Sequence, residues 1–281
     1  MGTDSIVLVT GANGQVGRSL RTKLSRGRFA RHKDVDVRDV GGLREAARGA
    51  EVIIHLAAMT RVDDCETHPE LAYAVNSQGT RNVVDVAEAV GARVIYLSTD
   101  YVFDGLKRGQ YDEQDEPRPL NVYGCSKLKG EGHVLRSEGN LVVRTSWVFG
   151  QGHNFVRSIV LAAESETPLT VVDDQWGRPT WAEDLAGAIV HLLVSEAQGI
   201  IHVTGDGRSC TWADLAEEVL AQAQLSAPVR RVDTETYVSA STRRLARRPA
   251  NSVLSLANAS RLRVPLQDWR TGVAHYVGGL T

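Results

Sequence analysis

The sequence predicts an α/β protein, a doubly wound parallel sheet followed by a smaller C-terminal α/β lobe. Three observations predict it. Short apolar runs recur through the first half, each run is apolar at consecutive positions, and amphipathic stretches separate one run from the next. Consecutive rather than alternating apolar residues suit strands covered on both faces, and repeated strand–helix alternation joins such strands in parallel.

The runs are Ser5 to Thr10, Glu51 to Leu56, Arg93 to Ser98 and Leu141 to Arg144. Between the second and third, Leu71, Val75, Val83, Val86, Ala87 and Val90 recur at helical spacing from Pro69 onward. After about Gly150 the rhythm loosens. Helices are expected from Phe155 to Ala163, Ala182 to Val194 and Trp212 to Ala223, with strands at Ile200 to Val203 and Val229 to Val232. No linker, repeat or low-complexity stretch divides the chain. One domain is expected over residues 1–150 and a second lobe over 151–281, with the chain crossing back between the two.

Composition narrows the function. Of the 281 residues 42% are hydrophobic and 23% charged, which describes an ordinary folded protein, and a net charge of -2 argues against nucleic acid as the main partner. No apolar stretch is long enough to span a bilayer, and the N-terminus runs straight into a strand pattern, so no membrane partner and a cytoplasmic location are expected. Cys65, Cys125 and Cys210 lie far apart with no C-x-x-C pair, which fits a reducing compartment. The eight histidines are scattered, so no metal site is expected.

Gly11-Ala12-Asn13-Gly14-Gln15-Val16-Gly17 follows the first strand directly and opens a helical pattern. The spacing is G-x-x-G-x-x-G, the Rossmann-type phosphate loop. One glycine permits the tight turn, one lets the backbone approach a pyrophosphate, and one lets helix and strand pack closely. The 1–150 region is therefore expected to bind a dinucleotide through Gly11, Asn13, Gly14, Gln15, Val16 and Gly17. An acidic residue after the second strand would grip a ribose 2′-hydroxyl, but the stretch here is Phe29-Ala30-Arg31-His32-Lys33-Asp34. Arg31 and its neighbours, with Arg18, suit the 2′-phosphate of NADPH; Asp34 and Asp36 keep NADH possible.

Tyr123-Gly124-Cys125-Ser126-Lys127 is Y-x-x-x-K, which on a helix places the ammonium near the phenol. A neighbouring cation favours phenolate and so tunes a tyrosine for proton transfer. Ser98 and Thr99 end the third apolar run, where open α/β sheets place ligands, and the Thr99 hydroxyl can reach a substrate carbonyl beside the tyrosine. Asn76 and Gly79 interrupt an otherwise good helix, as functional positions do. Thr99, Tyr123 and Lys127 are the expected catalytic set.

Together with Leu56-Ala57-Ala58-Met59-Thr60, Val75-Asn76-x-x-Gly79-Thr80-x-Asn82 and the run from Ser98 to Gly105, these motifs resemble the extended short-chain dehydrogenases. Within them the chain is similar to the dTDP-4-dehydrorhamnose reductases, whose marks include S-T-D-Y-V-F-D-G, the stretch from Arg144 to Gly150, Asn154-Phe155, the stretch from Val172 to Thr180, and Arg248 to Ser252. The resemblance implies reduction of the C4 ketone of a nucleotide-linked 4-keto-6-deoxyhexose, a nucleotide-diphosphate sugar. Tyr123 would give the proton, Lys127 would hold the ribose, and Thr99 would polarise the ketone. It also puts Asp39 and Val40 beside the adenine, lines the dinucleotide with Leu56, Ala57, Ala58, Met59, Thr60, Asn76 and Ser98, and sets Asp100, Trp147 and Asn154 against the sugar. Arg178 and Arg248 are candidates for the diphosphate, which forked guanidinium donors suit.

Some members of that family dimerise through magnesium held by glutamates. Gln15 supplies no such ligand, so no metal is expected, and the chain is expected to be a monomer or homodimer. Met59-Thr60-Arg61 adds bulk and charge beside the cofactor loop and leaves the sugar open. Two enzymatic rivals share the fold. Dehydratases carry Asp-Glu after the threonine, whereas Asp100-Tyr101 stands here; an epimerase is compatible with the triad and is opposed by the family marks. A dinucleotide-binding regulatory subunit without turnover is the non-enzymatic alternative. The cluster Arg243, Arg244, Arg247 and Arg248 suits a diphosphate or solvent better than nucleic acid.

Overall fold

A computed structural model describes residues 5–165 and 168–280. Its first five strands are β1 (Val7–Thr10), β2 (Gly27–Ala30), β3 (Val52–His55), β4 (Arg93–Thr99) and β5 (Leu141–Thr145). The later ones are β6 (Val148–Phe149), β7 (Leu169–Val172), β8 (Trp176–Gly177), β9 (Thr180–Trp181), β10 (Gly199–His202), β11 (Cys210–Thr211) and β12 (Val229–Val232). The main sheet runs β10-β5-β4-β3-β1-β2, every pair parallel.

Both faces of this sheet are covered, which is why its strands read as unbroken apolar runs. The helices of the first half are α1 (Gln15–Leu20), α2 (Val40–Ala47), α3 (Val62–Thr67), α4 (Pro69–Tyr73), α5 (Thr80–Val90) and α6 (Val122–Val134). Those of the second are α7 (Phe155–Glu164), α8 (Ala182–Val194), α9 (Trp212–Gln222), α10 (Thr234–Ser239), α11 (Ala257–Arg261) and α12 (Trp269–Gly278). One sheet face, with Val7, Val9, Ile54 and Val143, packs on Leu20 of α1 and on Leu185, Ile189 and Leu192 of α8. The opposite face, with Leu8, Ile53, Val94 and Val142, packs on Leu43 of α2 and Val83 and Ala87 of α5. A second core lies around Val156, Leu169, Val171, Val219, Trp269 and Val273 and belongs to the smaller lobe.

The expected helices of the second half coincide with α7, α8 and α9 to within one residue. The chain crosses back after residue 150. β10 pairs with β5 inside the main sheet, and α8 closes one of its faces, so residues 182–202 fold with the first domain. Their local pattern marks them as helix and strand, but the partner they cover is distant in sequence. The interruption at Asn76 and Gly79 is a π-helical segment, Ala74–Gly79, inserted between α4 and α5. Among the described residues no helix is long and apolar enough to cross a membrane.

Candidate active site

β2 and β3 flank β1 on opposite sides, so the strand order reverses at β1 and a crevice opens beyond the carboxyl ends of the strands. A cleft of about 470 Å³ lies there, walled by the glycine loop after β1, by Leu56, Ala58 and Thr60 after β3, by the end of β4, and by the residues after β5.

The glycine loop fits a dinucleotide. Gly11 has φ +68°, and a Cβ on it would lie 2.6 Å from the Ala57 backbone nitrogen. A Cβ on Gly17 would lie 2.7 Å from Ala12 Cα, so this glycine lets α1 press on β1. Gly14 caps α1 with no side-chain hydrogen bond and faces the cleft. The buried Gln15 Oε1 has no partner among the described residues, while its Nε2 donates to Val148 O at 3.4 Å.

Asn121 starts α6 by accepting from Gly124 N at 2.8 Å. Gly124 is required for the helix to approach: a Cβ there would lie 2.1 Å from Tyr101 O. Gly130 plays the same part further along, where a Cβ would lie 2.4 Å from the Tyr96 hydroxyl. These close approaches set Tyr123 against the end of β4 beside Thr99, with its ring 6.0 Å from that of Tyr101 and edge-on. Burial raises the Tyr123 phenol above its ordinary range, and the neighbouring Thr99 hydroxyl opposes that rise. Lys127 is 2% exposed; its Nζ donates to Leu97 O at 2.7 Å and sits 4.1 Å from the centroid of the Tyr96 ring. Burial pushes it down to about 7. Thr99 Oγ1 donates to Asp100 Oδ1 at 3.0 Å, and burial pushes the Asp100 carboxyl up to about 7.

Asn76, from the π-helical segment, holds the far wall. Its Oδ1 accepts from Met59 N at 2.7 Å and its Nδ2 donates to Met59 O and Ser126 Oγ, both at 3.0 Å. On the side of the smaller lobe, Trp147 carries a φ of +47° and stacks on Trp212, with centroids 3.7 Å apart and planes 10° from parallel. Gly177 leaves room for it, since a Cβ there would lie 2.4 Å from the indole Cε2. A bulky side chain held at positive φ marks a position that its surroundings over-determine.

A family model described as the RmlD substrate binding domain matches residues 5–281. The chain belongs to the RmlD family. It is accordingly an oxidoreductase. It is 39% identical over 282 residues to a dTDP-4-dehydrorhamnose reductase of Streptomyces griseus, covering 95% of this chain and 91% of that one. It is 34% identical to the spore coat polysaccharide biosynthesis protein SpsK of Bacillus subtilis, covering 96% of each. Among solved structures, a Bacillus anthracis dTDP-4-dehydrorhamnose reductase in complex with NADP superposes with a TM-score of 0.90 at 34% identity, over 98% of this chain and 99% of that one.

Against that background, the residues expected from the sequence of this RmlD chain fall into three groups. Gly11, Gly14, Gln15, Val16, Gly17, Leu56, Ala58, Thr60, Ser98, Thr99, Asp100, Tyr123, Lys127 and Trp147 line one cleft. Asn13, Ala57 and Asn76 stand just behind that wall; Asn13 O accepts from Arg18 Nε, Gly11 abuts Ala57, and Asn76 holds Met59. Asp39 caps α2 by accepting from Gly41 N, and Val40 is the first residue of that helix.

The rest have partners inside the protein. Arg31 follows β2 but spends its fork on Asp34, at 2.6 and 2.7 Å. Asn154 caps α7 through Arg157 N and donates to Gly150 O and the Tyr276 hydroxyl, so its amide is used inside the protein. Arg178 is 6% exposed and donates to Leu254 O at 3.0 Å, which makes it part of the interior of the smaller lobe. Arg248 pairs with both oxygens of Asp63 at 2.9 Å and lies beside Tyr101. Trp212, His153 and Tyr101 also line the cleft without having been singled out. Trp212 opens α9 sixty-five positions after Trp147, and no local spacing joins the two.

Proposed function

We propose that the chain reduces the C4 ketone of a dTDP-linked 4-keto-6-deoxyhexose, with NADPH as cofactor. What carries the reading is the meeting of Thr99, Tyr123 and Lys127 with the glycine loop in one cleft at the end of β4. The bound dinucleotide supplies the hydride. Gly11, Gly14 and Gly17 would hold its pyrophosphate, and Arg31 in the turn after β2 would meet a 2′-phosphate on the adenine ribose.

Thr99 donates to the ketone oxygen. Tyr123, raised by burial and therefore a protonated phenol throughout neutral pH, passes its proton to that oxygen as it becomes an alkoxide. Lys127, anchored on Leu97 O, holds the ribose hydroxyls and stabilises the phenolate left behind. The stacked pair Trp147 and Trp212 walls the sugar side and keeps water off the reacting carbon.

The test is turnover of a dTDP-4-keto-6-deoxy sugar, followed at the nicotinamide absorbance with NADPH and NADH in parallel. Tyr123→Phe keeps the ring and removes the proton. Its kcat is expected to fall at least about a hundredfold while NADPH binding stays near wild type. A Tyr123→Phe enzyme that kept most of its kcat, or a wild type that bound NADPH and left every such sugar untouched, would overturn the reading.

A further inference from the structure

Tyr123, Lys127 and Glu131 follow one another at four-residue spacing on α6 and so share a face. The first two have been given tasks; the third is a carboxylate 1% exposed. It accepts from Ser98 Oγ at 2.5 Å and takes both arms of Arg144, at 2.9 and 2.7 Å. Ser98 and Arg144 are register partners across β4 and β5, and the next pair along is Thr99 with Thr145, both on the cleft wall. One side chain thus fastens the catalytic helix to the ends of two strands, one residue before the threonine that shares the cleft with Tyr123. Well-packed apolar residues hold a fold about as well as a buried ion pair, so stability alone does not account for the arrangement.

The groups around Lys127 are His55 from β3, Tyr96 from β4, Tyr123 and Glu131 from its own helix, and Arg144 from β5 behind Glu131. Burial and the Lys127 charge push His55 down to about 3, so it is neutral at working pH; burial holds Tyr96 well above its ordinary value, so it is neutral too. Glu131 supplies the negative charge that opposes the effect of burial on Lys127.

We propose that Glu131 is a positioning residue for the reduction: through Ser98 it sets Thr99 beside Tyr123, and from one turn away on the same helix face it turns a carboxylate toward Lys127. The assignment rests on the reductase reading. Wild type is compared with Ser98→Ala, Glu131→Gln and the double variant Glu131→Gln/Arg144→Met, which removes both buried charges together and leaves neither stranded. Two quantities are read: the pH profile of NADPH-dependent turnover, and the titration of Lys127 by ¹³C NMR of lysine-labelled protein, made tractable by a chain with five lysines.

Ser98→Ala is expected to lose about tenfold in kcat, as slight misplacement of a catalytic group does, with Lys127 titrating as in wild type. In the double variant Lys127 is expected to titrate about one unit lower and the turnover profile to move toward acid with it, since loss of a nearby opposite charge disfavours the ammonium. If Glu131→Gln alone fails to fold, the double variant carries the comparison. Wild-type titration of Lys127 in the double variant, or undiminished kcat in Ser98→Ala, would refute the proposal. A wild type inactive on every sugar would instead refute the reductase reading, and the Lys127 titration would still judge Glu131.

Discussion

Arg178 and Arg248 show how one residue type divides between two jobs. Both precede a proline in motifs of the smaller lobe, and their forked donors suit a diphosphate equally on paper. The fold separates them. Arg178 is interior and bonded to Leu254 O, whereas the Arg248 side chain is 25% exposed and stands beside Tyr101, which lines the cleft. Arg178→Ala is therefore expected to cost about 2–4 kcal/mol of stability, from lost packing and a lost buried bond, with little change in sugar KM. Arg248→Ala is expected to raise the sugar KM about tenfold or more and to leave the melting temperature nearly unchanged. Denaturation curves and steady-state kinetics on the two variants check both; the reverse pattern would show that the lobe is misread. The sequence reveals the type of each side chain but not its direction, because direction depends on Leu254 and Asp63, which are far away along the chain. Asn154 carries the same lesson. Its motif is visible, yet its amide is spent on capping α7 and on Tyr276.

At the scale of one element, α6 was legible in outline. Asn121 is a good cap, and Tyr123 and Lys127 fall four apart on a helix. What the sequence hides is how closely the helix lies on its neighbours, because the surfaces it meets, Tyr101 and Tyr96, are read as separate strand and loop residues. Gly124→Ala places a methyl 2.1 Å from Tyr101 O, a contact that only a shift of the helix start relieves. That shift moves Tyr123 away from Thr99. The expected outcome is a fall in kcat of about a hundredfold, larger than the loss in thermal stability would explain, measured by turnover and melting on the same sample. An unimpaired kcat would mean that the approach of α6 is looser than the geometry states. The π-helical segment has a similar history. The poor helix formers Asn76 and Gly79 mark it, and the reason lies in Met59, Ser126 and Val37, all outside it.

Over the whole molecule, most strands and helices could be read from periodicity, and the boundary between lobes could not. The return of the chain through α8 and β10 is invisible locally because each looks like any other amphipathic helix or short apolar strand. A fragment of residues 1–150 lacks Leu185, Ile189, Leu192 and Ile201 and leaves one face of the sheet covered by α1 without α8. It is expected to show no cooperative melting by circular dichroism; a folded fragment would contradict the shared core. Acid sensitivity is a property of the whole fold as well. His55 and His202 are buried, and burial pushes each down to about 3. An unfolded histidine takes its proton near pH 6.5, so between these values the unfolded chain binds more protons and stability falls as the pH drops from neutral toward about 3. Asp100, raised by burial to about 7, contributes in the opposite sense: it favours the folded state below the ordinary carboxylate range and loses that contribution as pH rises through 7. His202→Leu removes one of the two histidines and is expected to recover roughly 2 kcal/mol at pH of about 5 relative to neutral pH, read from denaturation at the two pH values. An unchanged pH slope would mean that His202 keeps its proton inside the fold.

The face-to-face contact of Trp147 and Trp212 also gives the molecule a built-in optical signal. Two indoles 3.7 Å apart and 10° from parallel couple their transitions, so their near-ultraviolet dichroism depends on the angle between them. Trp147 belongs to the loop after β5 of the nucleotide-binding sheet, and Trp212 opens a helix of the smaller lobe. Both indoles pack against the core of the smaller lobe, so a ligand that turns one against the other changes this dichroism in the unlabelled protein without a dye.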